Sequence, residues 1–263
     1  MTETKAAEGR MPTVGAHGAR IPALGLGTWQ LEGAEAERMT EAALEAGYRH
    51  VDTAQAYGNE AEVGRGLARS SVPREEVFLT TKIWPDAYAP DRFRDAVDER
   101  LRLLGVERVD LLLLHWPAFQ GTTLERTVEL LSEAREAGKT RHVGVSNFTT
   151  DLLDRAWSAS DAPLVTNQVE YHPFLEQRSV LEATRRRDMC LTAYSPLAQG
   201  RAVDDRTLQE IGRRHGVGAA VVALRWLLQQ DRVAAIPKTS DPDHARTNLR
   251  ALEIELSGEE MDA

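Results

Sequence analysis

The chain has 263 residues, of which 42% are hydrophobic and 28% are charged, which is enough to bury the core of one sizeable domain. Its net charge of −9 argues against nucleic acid or an anionic membrane as the main partner. The only cysteine, Cys190, excludes an internal disulfide and fits a reducing compartment. Because the N-terminus has no apolar leader and no apolar run approaches ~18 residues, we expect a cytoplasmic protein without a membrane span.

The first ten residues are predicted to be a flexible polar tail, and residues 11–263 to form one domain. Residues 12–23 predict a short β-hairpin, which could close the bottom of a barrel. From residue 24 onward, apolar runs typical of strands alternate with segments of helical periodicity. Strands are predicted at 24–30, 50–52, 77–82, 109–114, 142–146, 164–169, 190–194 and 233–237. Helices are predicted at 34–46, 59–69, 91–104, 123–137, 204–215 and 218–230. Two further helices are predicted to begin after Thr149 or Thr150 and near Asp241-Pro242.

This alternation predicts an α/β fold, a closed (β/α)8 or TIM barrel, with an open doubly wound sheet as the alternative. Gly25 and Gly27 resemble the start of a dinucleotide fingerprint, but the third glycine is missing because residue 30 is glutamine. In a barrel the carboxyl ends of the strands meet at one rim, where chemistry takes place. The residues predicted to lie there are Asp52, Lys82, His115, Ser146, Gln168, Tyr194 and Lys238.

Three of these strand ends carry ionisable residues, namely Asp52, Lys82 and His115. A lone histidine at such a position is more often part of a packed core, but three ionisable groups at one rim favour an active site. Lysine is also scarce, since only four of the 32 basic residues are lysine. Lys82 and Lys238 both follow apolar runs, where a buried cation is costly unless it is paired. They suggest a need for a compact charge with an adjustable pKa.

The motifs of the chain resemble those of the aldo-keto reductases over nearly its whole length. Each motif alone is moderately specific, whereas eight in the right order are very specific. The matching segments are 24–29 (LGLGTW), 52–60 (DTAQAYGNE), 81–84 (TKIW), 110–117 (DLLLLHWP), 143–148 (VGVSNF), 167–173 (NQVEYHP), 193–197 (AYSPL) and 236–240 (IPKTS). The resemblance implies NAD(P)H-dependent interconversion of carbonyls and alcohols on a barrel, without a metal.

Hydride transfer to a carbonyl carbon leaves negative charge on the oxygen, so the site needs a proton donor. Tyr57, in the loop after the second predicted barrel strand, could donate it if Lys82 lowers its pKa from about 10. Asp52 would pair with Lys82, and His115 would orient the substrate oxygen. The resemblance makes these four residues the catalytic tetrad of the family. Without it, Asp52 and Lys82 would be an ordinary ion pair and Tyr57 an ordinary loop tyrosine.

The resemblance also assigns cofactor and substrate positions. A nicotinamide needs an aromatic face, here Tyr194, and polar partners for its carboxamide. Ser146 and Asn147 have an alternative role as caps of the next helix. The cofactor residues are Ser146, Asn147, Gln168, Tyr194, Ser195, Pro196, Leu197, Lys238, Thr239, Ser240, His244 and Asn248. The substrate pocket would be lined by Trp29, Trp84 and Trp116, whereas Trp157 and Trp226 are expected to pack within helices.

Two departures from the family pattern stand out. His244 replaces the arginine that many members place against the 2′-phosphate of NADPH. Arg246 lies about 200° further round the helix at ~3.6 residues per turn, so it is expected to point elsewhere. We therefore predict that NADPH is preferred over NADH by a modest factor. The sequence also ends at Ala263, where members usually continue into a segment of the substrate pocket, so the tail is short or the sequence is incomplete.

The predicted function is that of a monomeric, NADPH-dependent reductase of aldehydes, ketones or keto acids and esters, with NADH as the weaker cofactor. Two other classes are considered. One is a redox sensor that keeps the reductase fold, as the potassium-channel β subunits do. The other is an unrelated barrel isomerase or lyase for phosphorylated substrates, which would bind no nicotinamide. Turnover of a reactive aldehyde separates the first class from a reductase, and quenching of tryptophan fluorescence by NADPH separates the second.

Overall fold

The computed structural model of the chain describes residues 11–119 and 121–263, so the tail predicted for residues 1–10 lies outside the described residues. It begins with a hairpin of two antiparallel strands, β1 (Thr13–Ala16) and β2 (Ala19–Pro22). The turn residues His17 and Gly18 have φ of 46° and 85°, as a two-residue hairpin loop with left-handed residues requires. Ile21 of the hairpin is fully buried in a cluster with barrel residues such as Leu111 and Cys190, so the hairpin closes the bottom of the barrel as predicted.

Eight parallel strands form the barrel, and their order in the sheet is their order in the chain. The first and last strands meet through hydrogen bonds from the Gly25 amide to the Ala235 carbonyl (2.9 Å) and from the Ala235 amide to the Ala23 carbonyl (2.8 Å), which close the sheet. The closed barrel is therefore confirmed, and the doubly wound alternative is wrong. The strands are β3 (Leu26–Gly27), β4 (His50–Asp52), β5 (Phe78–Ile83), β6 (Val109–Leu114), β7 (Thr140–Ser146), β8 (Leu164–Glu170), β9 (Cys190–Tyr194) and β10 (Val233–Ala235).

Helices connect these strands on the outside of the barrel. Short 3₁₀ turns, including 55–57 and 85–87, lie in the loops at the carboxyl ends of the strands. None of the helices in the described part of the chain is long and apolar enough to cross a membrane. The helices are α1 (Ala34–Ala46), α2 (Glu60–Arg69), α3 (Pro90–Leu104), α4 (Leu124–Glu136), α5 (Thr150–Ala159), α6 (Arg178–Arg185), α7 (Arg201–Asp204), α8 (Arg206–His215), α9 (Ala219–Leu228), α10 (Pro242–Leu249) and α11 (Gly258–Asp262).

The ends of the helices follow local sequence signals. Gly47 and Gly105 adopt left-handed conformations at the ends of α1 and α3, where a Cβ atom would be unfavourable. The Thr149 hydroxyl accepts a hydrogen bond from the Leu152 amide and caps α5. Since Thr149 caps this helix, Ser146 and Asn147 do not serve as its caps. The short helices α6, α7 and α11 were not predicted.

Tryptophans at two helical positions pack as predicted. Trp157 lies against the main hydrophobic cluster, and Trp226 packs near Tyr171 with ring centroids 5.3 Å apart. The Trp226 indole nitrogen also donates a hydrogen bond to the Met261 carbonyl at 3.0 Å. This contact connects α9 to the C-terminal helix α11.

Candidate active site

The register of the sheet brings three predicted site residues to successive levels of the rim. Asp52 is paired with Thr80, two residues before Lys82. Lys82 is paired with Leu113, two residues before His115. Because side chains two residues apart in a strand lie on the same face of the sheet, these residues follow one another toward the carboxyl end of the barrel.

Lys82 is the centre of the site. It is fully buried, and its Nζ donates hydrogen bonds to Asp52 Oδ1 (2.5 Å), the Thr53 carbonyl (2.9 Å) and the Tyr57 hydroxyl (3.1 Å). An ammonium has three donors, and each of them has an acceptor here. Burial lowers the pKa of Lys82, but the carboxylate of Asp52 and the hydroxyl of Tyr57 together outweigh it and raise the pKa above its usual value. Lys82 is therefore a buried, charged ammonium.

Tyr57 follows β4 in the 3₁₀ turn 55–57. Burial raises the pKa of its hydroxyl above the usual value of 10.0. Lys82 lowers this pKa, but by less than burial raises it, and the carboxylate of Asp52 adds to the increase, so the expectation of a Tyr57 pKa below its usual value is wrong. The Tyr57 hydroxyl therefore keeps its proton at neutral pH, which is the form that a general acid needs.

His115 lies directly after β6, with its ring between two aromatic side chains. Its ring meets that of Tyr57 edge-on at 5.7 Å and that of Trp84 edge-on at 5.1 Å. Burial, reinforced by the charge of Lys82, lowers the pKa of His115 to about 3. The imidazole is thus neutral, with one donor and one acceptor nitrogen. Its Nδ1 is buried and has no hydrogen-bond partner among the described residues.

A chain of hydrogen bonds joins the predicted nicotinamide residues to the tetrad. The Gln168 amide nitrogen donates to Asp52 Oδ2 at 2.7 Å, so both oxygens of Asp52 are occupied. The Ser146 hydroxyl donates to the Gln168 carbonyl at 2.8 Å. Asn147, with φ of 65°, accepts a hydrogen bond from the Tyr194 hydroxyl at 2.9 Å and donates one to the His115 carbonyl at 3.0 Å. The structure therefore brings these residues together.

The loop after β9 contains the predicted Ser195, Pro196 and Leu197. Ser195 has φ of 46°, and the Ala198 amide donates to the Ser195 carbonyl at 2.8 Å, which forms a tight turn. Ser195 and Leu197 are half-buried and Pro196 is buried. This turn follows directly on Tyr194, so the two predicted parts of the cofactor site are continuous.

The predicted phosphate-binding residues lie around the start of α10. Lys238 is exposed, so the expectation that it is a buried cation after an apolar run, like Lys82, is wrong. The Thr239 hydroxyl accepts a hydrogen bond from the Asp241 amide at 3.0 Å. The exposed His244 places Nε2 3.9 Å from Asp241 Oδ2. Exposed Ser240 lies beside this turn, whereas Asn248 is buried in the last turn of α10.

Arg246 forms an ion pair on its own helix. Its Nη1 lies 2.5 Å from Asp243 Oδ1, one turn back in the first turn of α10. The expectation that Arg246 points away from a phosphate bound at this end stays a prediction.

The three predicted pocket tryptophans are exposed at the rim, Trp29 by 47%, Trp84 by 37% and Trp116 by 43%. Large exposed aromatic surfaces at a barrel mouth are typical of a ligand site. Trp84 and Trp116 line an open groove of about 350 Å³ together with Pro85, Asp86 and Ala118. We call this the Trp84–Trp116 groove.

Two buried residues after Tyr57 were not predicted. The Asn59 amide nitrogen donates to the Thr28 and Leu31 carbonyls at 2.8 and 2.9 Å, and its oxygen accepts from the Thr53 hydroxyl at 2.8 Å. Through these hydrogen bonds, Asn59 holds the loop of Tyr57 in place. The second residue, Glu60, begins α2 and is 2% exposed. The sequence carries no signal of this role beyond the position of both residues within the motif 52–60.

Glu60 connects α2 to the strand that carries Lys82. Its Oε1 accepts a hydrogen bond from the Thr81 hydroxyl at 2.5 Å, and its Oε2 lies 3.1 Å from Arg100 Nη1 on α3. Burial outweighs both contacts and raises the pKa of Glu60 to about 7. Glu60 is therefore a buried titratable group that holds the segments of Tyr57 and Lys82 together without contacting the rim.

The barrel and its rim define an α/β-barrel protein in which a buried lysine contacts an aspartate and a tyrosine, and a histidine packs against that tyrosine beside aromatic walls. The chain belongs to the aldo-keto reductases, since the sequence profile described as "Aldo/keto reductase family" matches residues 23–263. It is accordingly an oxidoreductase. The unrelated isomerase or lyase considered from the sequence is thereby wrong.

Known relatives match over most of their length. An aldo-keto reductase of Mycolicibacterium smegmatis is 38% identical, with 93% of this chain and 88% of the relative covered. Methylglyoxal reductase DkgB of Escherichia coli O157:H7 is 37% identical, with 92% and 91% covered. A crystal structure assigned as a 2,5-diketo-D-gluconic acid reductase B is 50% identical with a TM-score of 0.94, covering 97% of this chain and 90% of that chain.

Proposed function

We propose that the chain is an NADPH-dependent reductase of carbonyl compounds in which Tyr57 is the general acid. Hydride would go to the carbonyl carbon of an aldehyde, ketone or keto acid or ester, and the reverse reaction would oxidise the alcohol. The observation that carries the proposal is the position of Lys82 Nζ, which lies 2.5 Å from Asp52 and 3.1 Å from the Tyr57 hydroxyl. This arrangement gives a proton donor a buried positive charge beside it.

The nicotinamide cofactor supplies the hydride when it is bound, and the side chains supply the proton and the orientation. As negative charge develops on the substrate oxygen, the Tyr57 hydroxyl donates its proton to that oxygen. The phenolate left on Tyr57 is stabilised by Lys82, whose charge and direction are held by Asp52. A neutral His115 can donate a hydrogen bond to the same oxygen without competing for the proton.

The residues at the rim fit a nicotinamide. The ring of Tyr194 is half-buried at the end of β9 and offers an aromatic face. The side-chain amide nitrogen of Gln168 donates a hydrogen bond to Asp52. Its oxygen, Oε1, accepts no hydrogen bond from a described residue. That oxygen is available to a carboxamide, with Ser146 and Asn147 as further polar partners. Ser195, Pro196 and Leu197 would hold the pyrophosphate.

The other end of the cofactor would lie at the start of α10. The free N–H groups of a helix N-terminus favour an anion, and Lys238, Thr239 and Ser240 add a point charge and hydroxyl groups. His244 and Asn248 complete the proposed set. Asp241 opposes it with a negative charge. We therefore propose NADPH as the preferred cofactor and NADH as a weaker one.

The names of the relatives offer two substrate classes. Methylglyoxal, in the name of DkgB, is an uncharged dicarbonyl, whereas 2,5-diketo-D-gluconate is an anion. The three rim tryptophans would contact either class. We propose in addition that residues 11–263 act as one domain and that the protein is a cytoplasmic monomer, as the sequence predicts.

The proposal is tested by following NADPH oxidation with methylglyoxal and with 4-nitrobenzaldehyde, each measured also with NADH. A reductase consumes NADPH in proportion to the alcohol formed. Quenching of tryptophan fluorescence by NADPH without turnover of any aldehyde or ketone would instead favour the sensor class. No quenching and no turnover would contradict both.

A further inference from the structure

We infer that the Trp84–Trp116 groove, through the carboxylate of Asp86, selects uncharged or cationic carbonyl compounds and disfavours anionic ones. The inference rests on the proposed function and adds the charge class of the substrate. It makes Asp86 a specificity-determining residue outside the tetrad.

The groove adjoins the reacting end of the site through Trp84. The indole of Trp84 packs edge-on against His115 at 5.1 Å, and His115 in turn contacts Tyr57. Asp86 lies two residues after Trp84 and lines the same groove. A substrate whose carbonyl oxygen reaches Tyr57 would therefore extend its remaining groups toward Asp86.

The walls of the groove are fixed by hydrogen bonds. The Trp84 amide donates to Gln55 Oε1 at 2.9 Å. The Tyr88 hydroxyl donates to the Trp116 carbonyl at 3.0 Å and lies 3.3 Å from the Trp116 amide nitrogen. Tyr88 itself is fully buried. The loops after β5 and β6 are thus joined, which holds the two indoles and Asp86 in one arrangement.

The loops after the first four barrel strands carry charges of one sign, whereas the loop after β10 carries Lys238. The loops after β3 to β6 comprise residues 28–33, 53–59, 84–89 and 115–123, and they contain no lysine or arginine. Their charged residues are Glu32 and Asp86, both exposed. In a chain with 32 basic residues, four loops without a cation around the proposed reaction centre are a specific feature.

The two basic groups of the tetrad cannot serve a substrate carboxylate. Lys82 is fully buried and already paired with Asp52. His115 is neutral because its pKa is lowered to about 3. Arg92, on α3, donates a hydrogen bond to the backbone carbonyl of Asp86 at 3.5 Å but forms no ion pair with its side chain among the described residues, so the Asp86 carboxylate keeps its negative charge unpaired.

An exposed carboxylate in a groove lined by two indoles accepts hydrogen bonds from neutral hydroxyl groups and attracts cations, which the indole faces also bind. A carboxylate on the substrate is repelled instead. At a separation of a few ångströms in a solvated groove, such repulsion amounts to a factor of roughly 3 to 10. Of the two substrate classes defined above, the site therefore favours the uncharged one.

The experiment uses three aldehydes of the same shape and different charge, namely 4-formylbenzoate, 4-formylbenzamide and 4-formyl-N,N,N-trimethylanilinium. Values of kcat/KM are measured with NADPH for the wild type, Asp86→Asn and Asp95→Asn. Asp95 is an exposed carboxylate on α3 that does not line the groove, so its variant makes the same charge change elsewhere. Comparing each variant with the wild type for one substrate cancels intrinsic carbonyl reactivity.

In Asp86→Asn, the ratio of kcat/KM for the benzoate to that for the benzamide should rise by roughly 3- to 10-fold. The ratio of kcat/KM for the trimethylanilinium to that for the benzamide should fall by a similar factor. Both ratios should stay unchanged in Asp95→Asn, and 0.5 M NaCl should reduce the wild-type discrimination. Equal ratios in wild type and Asp86→Asn would overturn the inference while leaving the reductase proposal intact. Absence of turnover with all three aldehydes would overturn the proposed function itself.

Discussion

The ammonium nitrogen of Lys82 lies 3.1 Å from the hydroxyl oxygen of Tyr57, inside a barrel from which solvent is excluded around the lysine. This contact couples the proposed proton donor, Tyr57, to the positive charge of Lys82. Burial raises the pKa of Tyr57, whereas Lys82 lowers it, so loss of the ammonium would leave burial unopposed. The acidity of Tyr57 thus depends on a residue from a neighbouring strand.

Replacing Lys82 tests whether a generic cation is enough. In Lys82→Arg, the larger planar guanidinium cannot occupy a fully buried position made for a compact ammonium, so we expect most of kcat to be lost. In Lys82→Met the charge is lost as well, and kcat should fall by at least ~100-fold. Activity of the arginine variant close to that of the wild type would mean that position and size of the cation do not matter.

Thermal unfolding provides the control for these variants. Lys82→Met leaves Asp52 buried without its partner, which costs roughly 3 to 5 kcal/mol and lowers Tm. Lys82→Arg keeps a positive charge beside Asp52 and should remain more stable than the methionine variant. A loss of kcat in the arginine variant with Tm near the wild-type value would therefore show that activity depends on the position and size of the cation and that the loss does not come from unfolding.

Glu60 should make stability depend on pH. Its pKa is raised from 4.5 to about 7, so the folded state holds a proton that the unfolded chain releases. The stabilisation that the protonated Glu60 carboxyl contributes is fully present below about pH 4.5 and is lost as the pH rises through about 7. Glu60→Gln keeps a neutral side chain throughout. The free energy of unfolding of the wild type relative to Glu60→Gln should then fall by roughly 2 to 3 kcal/mol between pH 5 and 8.

Urea unfolding at several pH values measures this difference. Glu75→Gln is the matched control, because Glu75 is exposed in the 3₁₀ turn 74–76 and has no side-chain partner among the described residues. That variant should follow the pH dependence of the wild type. A difference between wild type and Glu60→Gln that stays constant with pH would show that Glu60 does not titrate in this interval.

Cofactor preference should depend on His244. We expect NADPH to bind roughly 10- to 100-fold more tightly than NADH, corresponding to one or two charge-assisted contacts of ~1.4 kcal/mol each. Fluorescence titrations of NADPH and NADH with the wild type and with His244→Gln measure the ratio of the two Kd values, and this ratio should be smaller in the variant because a charge-assisted contact to the 2′-phosphate is lost. A ratio in His244→Gln equal to that of the wild type would remove His244 from the phosphate site.

The sequence predicts the barrel well because its strands are short apolar runs and its helices end at strong signals such as Gly47 and Gly105. The rim residues follow from the same reasoning, since Asp52, Lys82 and His115 stand at strand ends. The expected burial of Lys238 was wrong because the buried segment ends at Pro237 and the chain reaches the surface at Lys238, before α10 begins.

Other features depend on contacts that no local pattern encodes. Glu60 meets Thr81 and Arg100, which come from other elements 21 and 40 residues further along the chain. The pKa of Tyr57 depends on how far burial exceeds the influence of Lys82, and burial is a property of the folded barrel. The charge pattern around the Trp84–Trp116 groove is visible in the sequence only once the loops that form the mouth are known.

The role of Tyr57 as the proton donor is tested most directly by kcat of Tyr57→Phe with NADPH and an aldehyde substrate. The variant keeps the ring that packs against His115 and removes only the hydroxyl that contacts Lys82. We predict that kcat falls by at least ~100-fold while the Kd for NADPH changes little, because general acid catalysis supplies about that factor. Turnover of Tyr57→Phe at the wild-type rate would contradict the account, since the proton would then come from another group.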